Sequence, residues 1–435
     1  MKFDLLIING KLIDPAFGFS KKGDIGIKNG KIEKIYEPGK LTKKVISTFP
    51  EESILDAKGA VVTPGLVDIH VHLREPGRED EETIVSGCQA AAAGGFTSIC
   101  CMPNTQPAID NQETVKFVTS LAENADCRVH CIGAITKNRE GKELSEIGDL
   151  VKAGIVAISD DGNYVQNPDM MRRALEYARM FDIPVISHAE DEFLAAGGVM
   201  NESFQSTRLG MPGTPAVAEE IAIIRDIKLA GLTGSRLHIA HVSTSGGVEA
   251  IRRGKAEGVK VTAEATPHHF TLTDDMIAER FDTNLRVSPP IRTEADRQSI
   301  IEGLIDGTID CIATDHAPHT DEEKDTVFDQ APPGIIGLET SLGLAITQLV
   351  GKGYLSLSDM LAKMSVNPTQ IMGLTTNRLR EGEIADLLIF NPDAAWVVKE
   401  NKFKSKCKNS PFVGRKLKGK VLATIMNGRV TLKAE

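Results

Sequence analysis

The chain has 435 residues, 41% of them hydrophobic and 25% charged. That is ordinary for a globular enzyme and long enough for one large domain with a minor one. With 50 Lys and Arg against 60 Asp and Glu the formal net charge is −10, which argues against general nucleic-acid binding, since that rests on neutralising phosphates with basic side chains. Cys88, Cys100, Cys101, Cys127, Cys131, Cys311 and Cys407 form no CxxC pair. They read as reduced core thiols of a cytoplasmic protein. No secretory leader and no membrane-spanning run is expected.

In chain order, the first 60 residues read as short strands joined by turns. Residues 4–8 and 11–13 flank Asn9-Gly10, and residues 24–28 and 31–35 flank Asn29-Gly30. Asn-Gly between apolar runs predicts a hairpin each time. The far end repeats the pattern, with an apolar run at 385–390 and a hairpin at 421–432 around Asn427-Gly428. We therefore expect residues 1–62 and 376–435 to join in one small β-sandwich-like domain. Between them, residues 63–375 alternate apolar runs with amphipathic stretches such as 169–180 and 216–230. Eight runs occur, at 66–71, 97–102, 128–134, 155–159, 184–187, 236–240, 259–263 and 310–314. Eight βα units predict an α/β chain folded as a closed (β/α)8 TIM-like barrel, with an open doubly wound sheet as the alternative.

The polar residues at the ends of these runs carry the functional argument. His70 and His72 end the first run and Asn104 follows the second; Asp160 and Asp161 follow the fourth. His188 and His241 end the fifth and sixth, and Asp315 ends the eighth with His316 and His319 behind it. Barrel enzymes build their sites at the C-terminal ends of the strands, so these residues converge on one face. His70 and His72 share a face of an extended strand, and paired imidazoles there suit a shared metal ion. Four His and two Asp are too many for one tetrahedral ion; they suit two ions bridged by a carboxylate. Such a pair can hold a hydroxide as nucleophile at neutral pH and polarise a carbonyl. Asp315 would move the proton. This chemistry makes or breaks an amide bond. His268-His269 should point apart on extended chain and reads as structural or supporting, like His316; His130 and His238 read as packed core residues.

Several strings resemble dihydroorotases of the amidohydrolase superfamily, in that family's order. They are DIHVHLREPG (68–77), PNT (103–105), DDG (160–162), SHAE (187–190), HIAHVS (238–243) and ATDHAPH (313–319). The resemblance implies reversible cyclisation of N-carbamoyl-L-aspartate to L-dihydroorotate in pyrimidine biosynthesis, on two zinc ions per chain. It places His70, His72 and Asp315 on one ion, His188 and His241 on the other, and Asp161 between them. The strand-four end has no lysine, whereas hydantoinases and allantoinases bridge with a carbamylated one. Those enzymes are the rival activity; a non-catalytic barrel scaffold is the rival class.

The same resemblance assigns the substrate carboxylate to Arg74, Asn104 and His319. Arg74 has the planar fork for that task, against a surface ion pair with Glu75 or Glu79. Ser288 stands where close relatives usually show Asn, which puts one substrate contact in question. Pro333 and Gly334 match a segment that meets the pyrimidine ring through backbone groups. The acidic stretch 320–334 reads equally as a lid or a surface turn. The resemblance further implies a homodimer and leaves room for association with a neighbouring pathway enzyme.

Overall fold

The computed structural model of the chain describes residues 3–375 and 378–434, the side chains of Lys43 and Arg280 aside. The expected boundary at residue 376 lies outside the described residues. Eight parallel strands run β1 (Leu66–Val71), β2 (Phe96–Cys101), β3 (Arg128–Gly133), β4 (Ala157–Ser159), β5 (Val185–Ser187), β6 (Leu237–Ile239), β7 (Val261–Ala265) and β8 (Cys311–Ile312), each paired with the next in sequence. Each is followed by a helix: α1 (Ile84–Gly94), α2 (Gln112–Leu121), α3 (Ile147–Ala153), α4 (Pro168–Arg179), α5 (Ala216–Thr233), α6 (Ser245–Ala256), α7 (Glu294–Asp306) and α8 (Leu338–Ala345). The chain writes these helix ends locally. Thr83, Asn111, Asn167, Thr244 and Thr293 cap N-termini with side-chain oxygens, and Gly95, Gly154, Gly234 and Gly307 end helices in the left-handed conformation.

The barrel closes between its last and first strands. Val71 and His316 form a parallel bridge, His72 N–H donates to the His316 carbonyl at 2.8 Å, and Thr314 N–H donates to the Asp68 carboxylate at 3.2 Å. Val67, Ile69, Cys100, Met102, Ile132, Ala157, Ile186 and Cys311 pack together as the barrel interior. The opposite faces of the strands pack with the helices in a second, larger core that includes Leu66, Ile99, Ile158, Ile239 and Ile312. Each such side chain contributes about 1.5–3 kcal/mol by leaving water. The β1–β2 pairing slips between Asp68 and Val71, a stretch that includes His70.

Both chain ends meet in a separate eight-stranded sheet. Val61–Pro64 pairs antiparallel with Leu387–Val397, from Val61↔Phe390 to Pro64↔Leu387, and Ile7, Leu12, Ile25, Ile27, Val62, Leu387, Ile389 and Ile425 form its core. Gly65 alone separates this sheet from β1, and a Cβ there would lie 2.1 Å from Thr97 Oγ1, so only glycine fits. Two of the three Asn-Gly hairpins form: Lys28 pairs with Lys31 and Met426 with Arg429, with Asn29 and Asn427 at φ 51° and 53°. The third expectation is corrected. Leu5–Asp14 is one strand, and Asn9-Gly10 is a bulge within it, with Asn9 at φ 57°. The same left-handed preference serves both structures. Here Asn9 N–H donates to Asp24 and its carbonyl takes Gly59 N–H, so the chain continues instead of reversing.

Candidate metal centre and anion cleft

At the C-terminal mouth of the barrel the strand ends bring four imidazoles onto one carboxylate. Asp161, two residues past β4, turns Oδ2 toward His70 Nε2 (3.4 Å) and His72 Nε2 (3.5 Å), and Oδ1 toward His188 Nδ1 (3.5 Å) and His241 Nε2 (3.6 Å). Asp315 Oδ1 lies 3.0 Å from His72 Nε2 and 3.5 Å from His70 Nε2. His188 Nδ1 and His241 Nε2 are 2.9 Å apart. All six side chains are buried. The adjacent Asp160 is turned away: it accepts from Thr136 N–H at 3.0 Å and from the Thr136 hydroxyl.

The surroundings orient the rings. His70 Nδ1 lies 2.5 Å from Glu264 Oε1 and His72 Nδ1 lies 2.8 Å from Asn104 Oδ1. Both partners accept, so the proton sits on Nδ1 and the Nε2 lone pair faces Asp161 and Asp315. Arg139 donates Nη1–H to the Asp161 carbonyl at 2.7 Å, fixing the peptide of the central carboxylate. His241 and Asp315 are held at φ 32° and 49°, and Arg74 at φ 63°. Left-handed backbone at three functional positions stores local strain.

The donor set fits metal ions. Asp161 Oδ1 and His70 Nε2 are buried without any hydrogen-bonding partner, which is costly unless something else satisfies them. Two clusters have their ligating atoms within 4.8 Å of one another: His70, His72 and Asp315, and His70, Asp161 and His241. The electrostatics agree. Burial alone would depress His70, but the carboxylates of Asp161, Glu264 and Asp315 lift it well above the usual imidazole range. Burial would likewise depress His188, which Asp161 raises. Burial would raise Asp161 and Asp315, yet the neighbouring imidazoles hold both below the ordinary carboxylate range. Three buried carboxylates thus favour positive charge among the imidazoles around them.

Beside the centre lie Arg74 and His319, both against Glu81. Arg74 Nε is 2.9 Å from Glu81 Oε2 and donates to the Pro318 carbonyl at 3.2 Å, while Nη2 is 3.4 Å from His319 Nε2. Neither expected rival partner is used: Glu75 takes Ile84 N–H and Glu79 takes Gly77 N–H. Among the described residues nothing in the protein takes the Nη1 hydrogens. His319 lies 2.8 Å from Glu81 Oε1 through Nδ1 and 3.0 Å from the Pro333 carbonyl through Nε2. Gly334 N–H donates to the Arg286 carbonyl at 2.9 Å, and its own carbonyl accepts from Asn409, so its backbone groups are already engaged. Ser288 is half-buried, next to the Pro289 carbonyl that lies 3.1 Å from His269 Nε2.

Three further expectations meet the structure. His268 and His269 do not point apart: their rings lie 4.4 Å centre to centre, because residues 267–270 form a turn, not a strand. Segment 320–334 is mostly exposed but anchored at a few buried points. Lys324, Phe328 and Ala331 are buried, and Lys324 Nζ donates to the Pro332 carbonyl at 2.7 Å. His316 accepts Gly337 N–H on Nδ1 and so donates from Nε2 to Glu82 at 3.3 Å, a supporting position as expected. His238 is a satisfied core residue, whereas His130 is only half-buried. Sequence reasoning missed Glu264, Glu81 and Arg139. A lone acid in the apolar run VTAEA was a usable signal for Glu264; Glu81 is hidden in the acidic run REDEE, and Arg139 sits in a loop without a motif.

Comparison with known proteins shows the family and the fold. A family model described as "Dihydro-orotase-like" matches residues 59–246. The chain is 50% identical over 428 residues to a dihydroorotase of Pelotomaculum thermopropionicum, covering 98% of each chain, and 49% identical over 428 residues to one of Syntrophus aciditrophicus, again covering 98% of each. Among solved structures, the L-hydantoinase (dihydropyrimidinase) of Arthrobacter aurescens superposes with a TM-score of 0.86 at 28% identity, covering 99% of this chain and 96% of the other. A D-hydantoinase from Thermus sp. shares the fold, with a TM-score of 0.82 at 24% identity.

Proposed function

The chain belongs to the dihydroorotase family of cyclic amide hydrolases, and from that premise we propose how its residues interconvert N-carbamoyl-L-aspartate and L-dihydroorotate. The observation that carries the reading is Asp161, whose two oxygens each face a pair of imidazoles. His70, His72 and Asp315 would hold one divalent ion, His188 and His241 a second, with Asp161 shared. Zinc suits this nitrogen- and oxygen-rich set. Two such ions, when bound, supply Lewis acidity toward the ring carbonyl and lower the pKa of a water.

The side chains do the rest. Arg74 receives the substrate carboxylate on its Nη1 hydrogens, and Asn104, with Oδ1 on His72, has its amide N–H groups left for the same anion. His319 closes the third side, and Pro333, Gly334 and Ser288 border the ring. This fixes the ring amide over the metal centre and turns binding into orientation. In the hydrolytic direction a water oxygen bonds to the ring carbonyl carbon and its proton passes to Asp315. The C–N bond then breaks and Asp315 returns the proton to the departing nitrogen; cyclisation is the reverse. His70 and His72, both close to Asp315, hold its carboxyl below the ordinary range, so it is ionised at neutral pH.

The test follows loss of L-dihydroorotate in the ultraviolet with metal-analysed protein, with hydantoin and allantoin alongside. Turnover of dihydroorotate alone, with about two metal ions per chain, supports the assignment. Turnover of hydantoin alone would move the substrate to that of the structural neighbours. No helix among the described residues is long and apolar enough to cross a membrane, and a cytoplasmic location is part of the same reading. So are a homodimer and association with a neighbouring pathway enzyme.

A further inference from the structure

We propose that Glu264, on β7, is a positioning residue that locks both halves of the metal centre together, with His238 as its counterweight. The inference rests on the metal reading above. β7 is otherwise silent at the mouth, yet Glu264 is fully buried on the strand. A carboxylate in such a place needs donors for both oxygens, and it has three. Oε1 takes the His70 Nδ1 proton at 2.5 Å and the His241 backbone N–H at 3.2 Å. Oε2 takes the His238 Nε2 proton at 3.1 Å, and His238 Nδ1 in turn accepts from the Thr262 hydroxyl at 2.8 Å.

Two of these contacts reach different ligand sets. His70 faces Asp161 Oδ2 and Asp315, whereas His241 faces Asp161 Oδ1 and His188. The first contact sets which ring nitrogen of His70 carries the proton. The second ties down the backbone of His241, which sits at φ 32°. One oxygen atom therefore fixes a tautomer on one side of the centre and a backbone conformation on the other. His238 anchors the second oxygen so that the carboxylate cannot swing away. Asn104 offers a contrast, since its side-chain hydrogen bond among the described residues is to the His72 ring alone.

The prediction concerns metal affinity rather than turnover. In apo protein titrated with zinc against a chromophoric chelator, Glu264→Gln should weaken both ions by about 10–100-fold, the size expected for loss of an outer partner. Glu264→Asp, which keeps the charge, should recover part of that loss. Asn104→Ala should weaken one ion and spare the other. If Glu264→Gln weakens one ion alone, or neither, the coupling role is overturned. If Glu264→Gln does not fold by circular dichroism, His238→Gln removes only the anchor. It should still weaken both ions by a common, smaller factor, and unchanged binding there would equally overturn the role. Wild-type protein that binds no zinc at all would sink the metal reading itself, a result distinct from a wild type that binds two ions and a variant that binds them as well.

Discussion

Replacing Arg74 by Ala should separate recognition of the substrate's carboxylate from the chemistry. Arg74 is not a free surface cation: Glu81 and the Pro318 carbonyl hold Nε, and His319 lies against Nη2. The fork is thus held in place, with no hydrogen-bond acceptor on Nη1 among the described residues. A hydrogen bond to a charged group contributes about 1.5–3 kcal/mol net, so two are worth about 3–6 kcal/mol. At about 1.4 kcal/mol per factor of ten, kcat/KM for dihydroorotate should fall by roughly 10²–10⁴. The fall should sit mainly in KM, because the carboxylate is bound alike in the ground and transition states. The substitution also removes one partner of Glu81, which keeps His319 at 2.8 Å and Arg78 at 3.4 Å. A companion Arg74→Lys variant keeps the charge but not the planar fork and should recover only part of the loss. The assay is steady-state hydrolysis of dihydroorotate beside 5,6-dihydrouracil, which has the ring but no carboxylate. An equal loss on both rings, or a loss under about fivefold on dihydroorotate, would refute the reasoning.

Asp315→Asn should lower kcat by about 10²–10⁴, the range for removing a general acid–base group, while zinc analysis finds metal still bound but less tightly; near-normal turnover would remove its proton-transfer role. Because His70 and His188 are raised by neighbouring carboxylates, zinc must displace their protons. Calorimetry in buffers of different ionisation enthalpy should therefore detect proton release at neutral pH, with affinity climbing as pH rises. Lys324 gives a stability test. Burial lowers its amine to about 7, against 10.5 for the ordinary group. Between those values the unfolded chain binds the extra proton, so stability from this group rises with pH, by up to about 1.4 kcal/mol per unit. Urea unfolding at several pH values should show that slope in wild type and its loss in Lys324→Met, and parallel curves would contradict it.

The barrel and its mouth were legible because two local codes coincide in the chain. Apolar runs mark strands, and the residue just past each run must stand at one end of the barrel, so His70, His188, His241 and Asp315 could be gathered from spacing alone. What spacing could not give is backbone conformation. Asn9-Gly10 has the left-handed preference of a turn, and only its partners Asp24 and Gly59 decide that the strand runs on through a bulge. His268 and His269 were judged on an extended chain, whereas a tight turn brings their rings together. Glu264 escaped notice for a different reason: a charged residue inside a strand is visible as an anomaly, but its worth depends on three donors from β1, β6 and the segment beyond β6. Glu81 lies in a run of acids that reads as solvated surface, and nothing local distinguishes the one that holds Arg74 and His319.

The seam between β8 and β1 also bears on how the molecule comes into being. The first two metal-facing histidines leave the ribosome early, but His72 N–H meets its backbone acceptor only at His316, and Asp68 waits for Thr314. At roughly 5–20 residues per second, the interval between those two stretches is on the order of ten to fifty seconds. During that time the nascent chain carries exposed imidazoles with no finished cage. The pairing of Val61–Pro64 with Leu387–Val397 postpones closure of the terminal sheet further still. Closure therefore waits on the last barrel strand, and a chain cut short before it keeps His70, His72, Asp161, His188 and His241 but lacks Asp315 and the seam that holds β1.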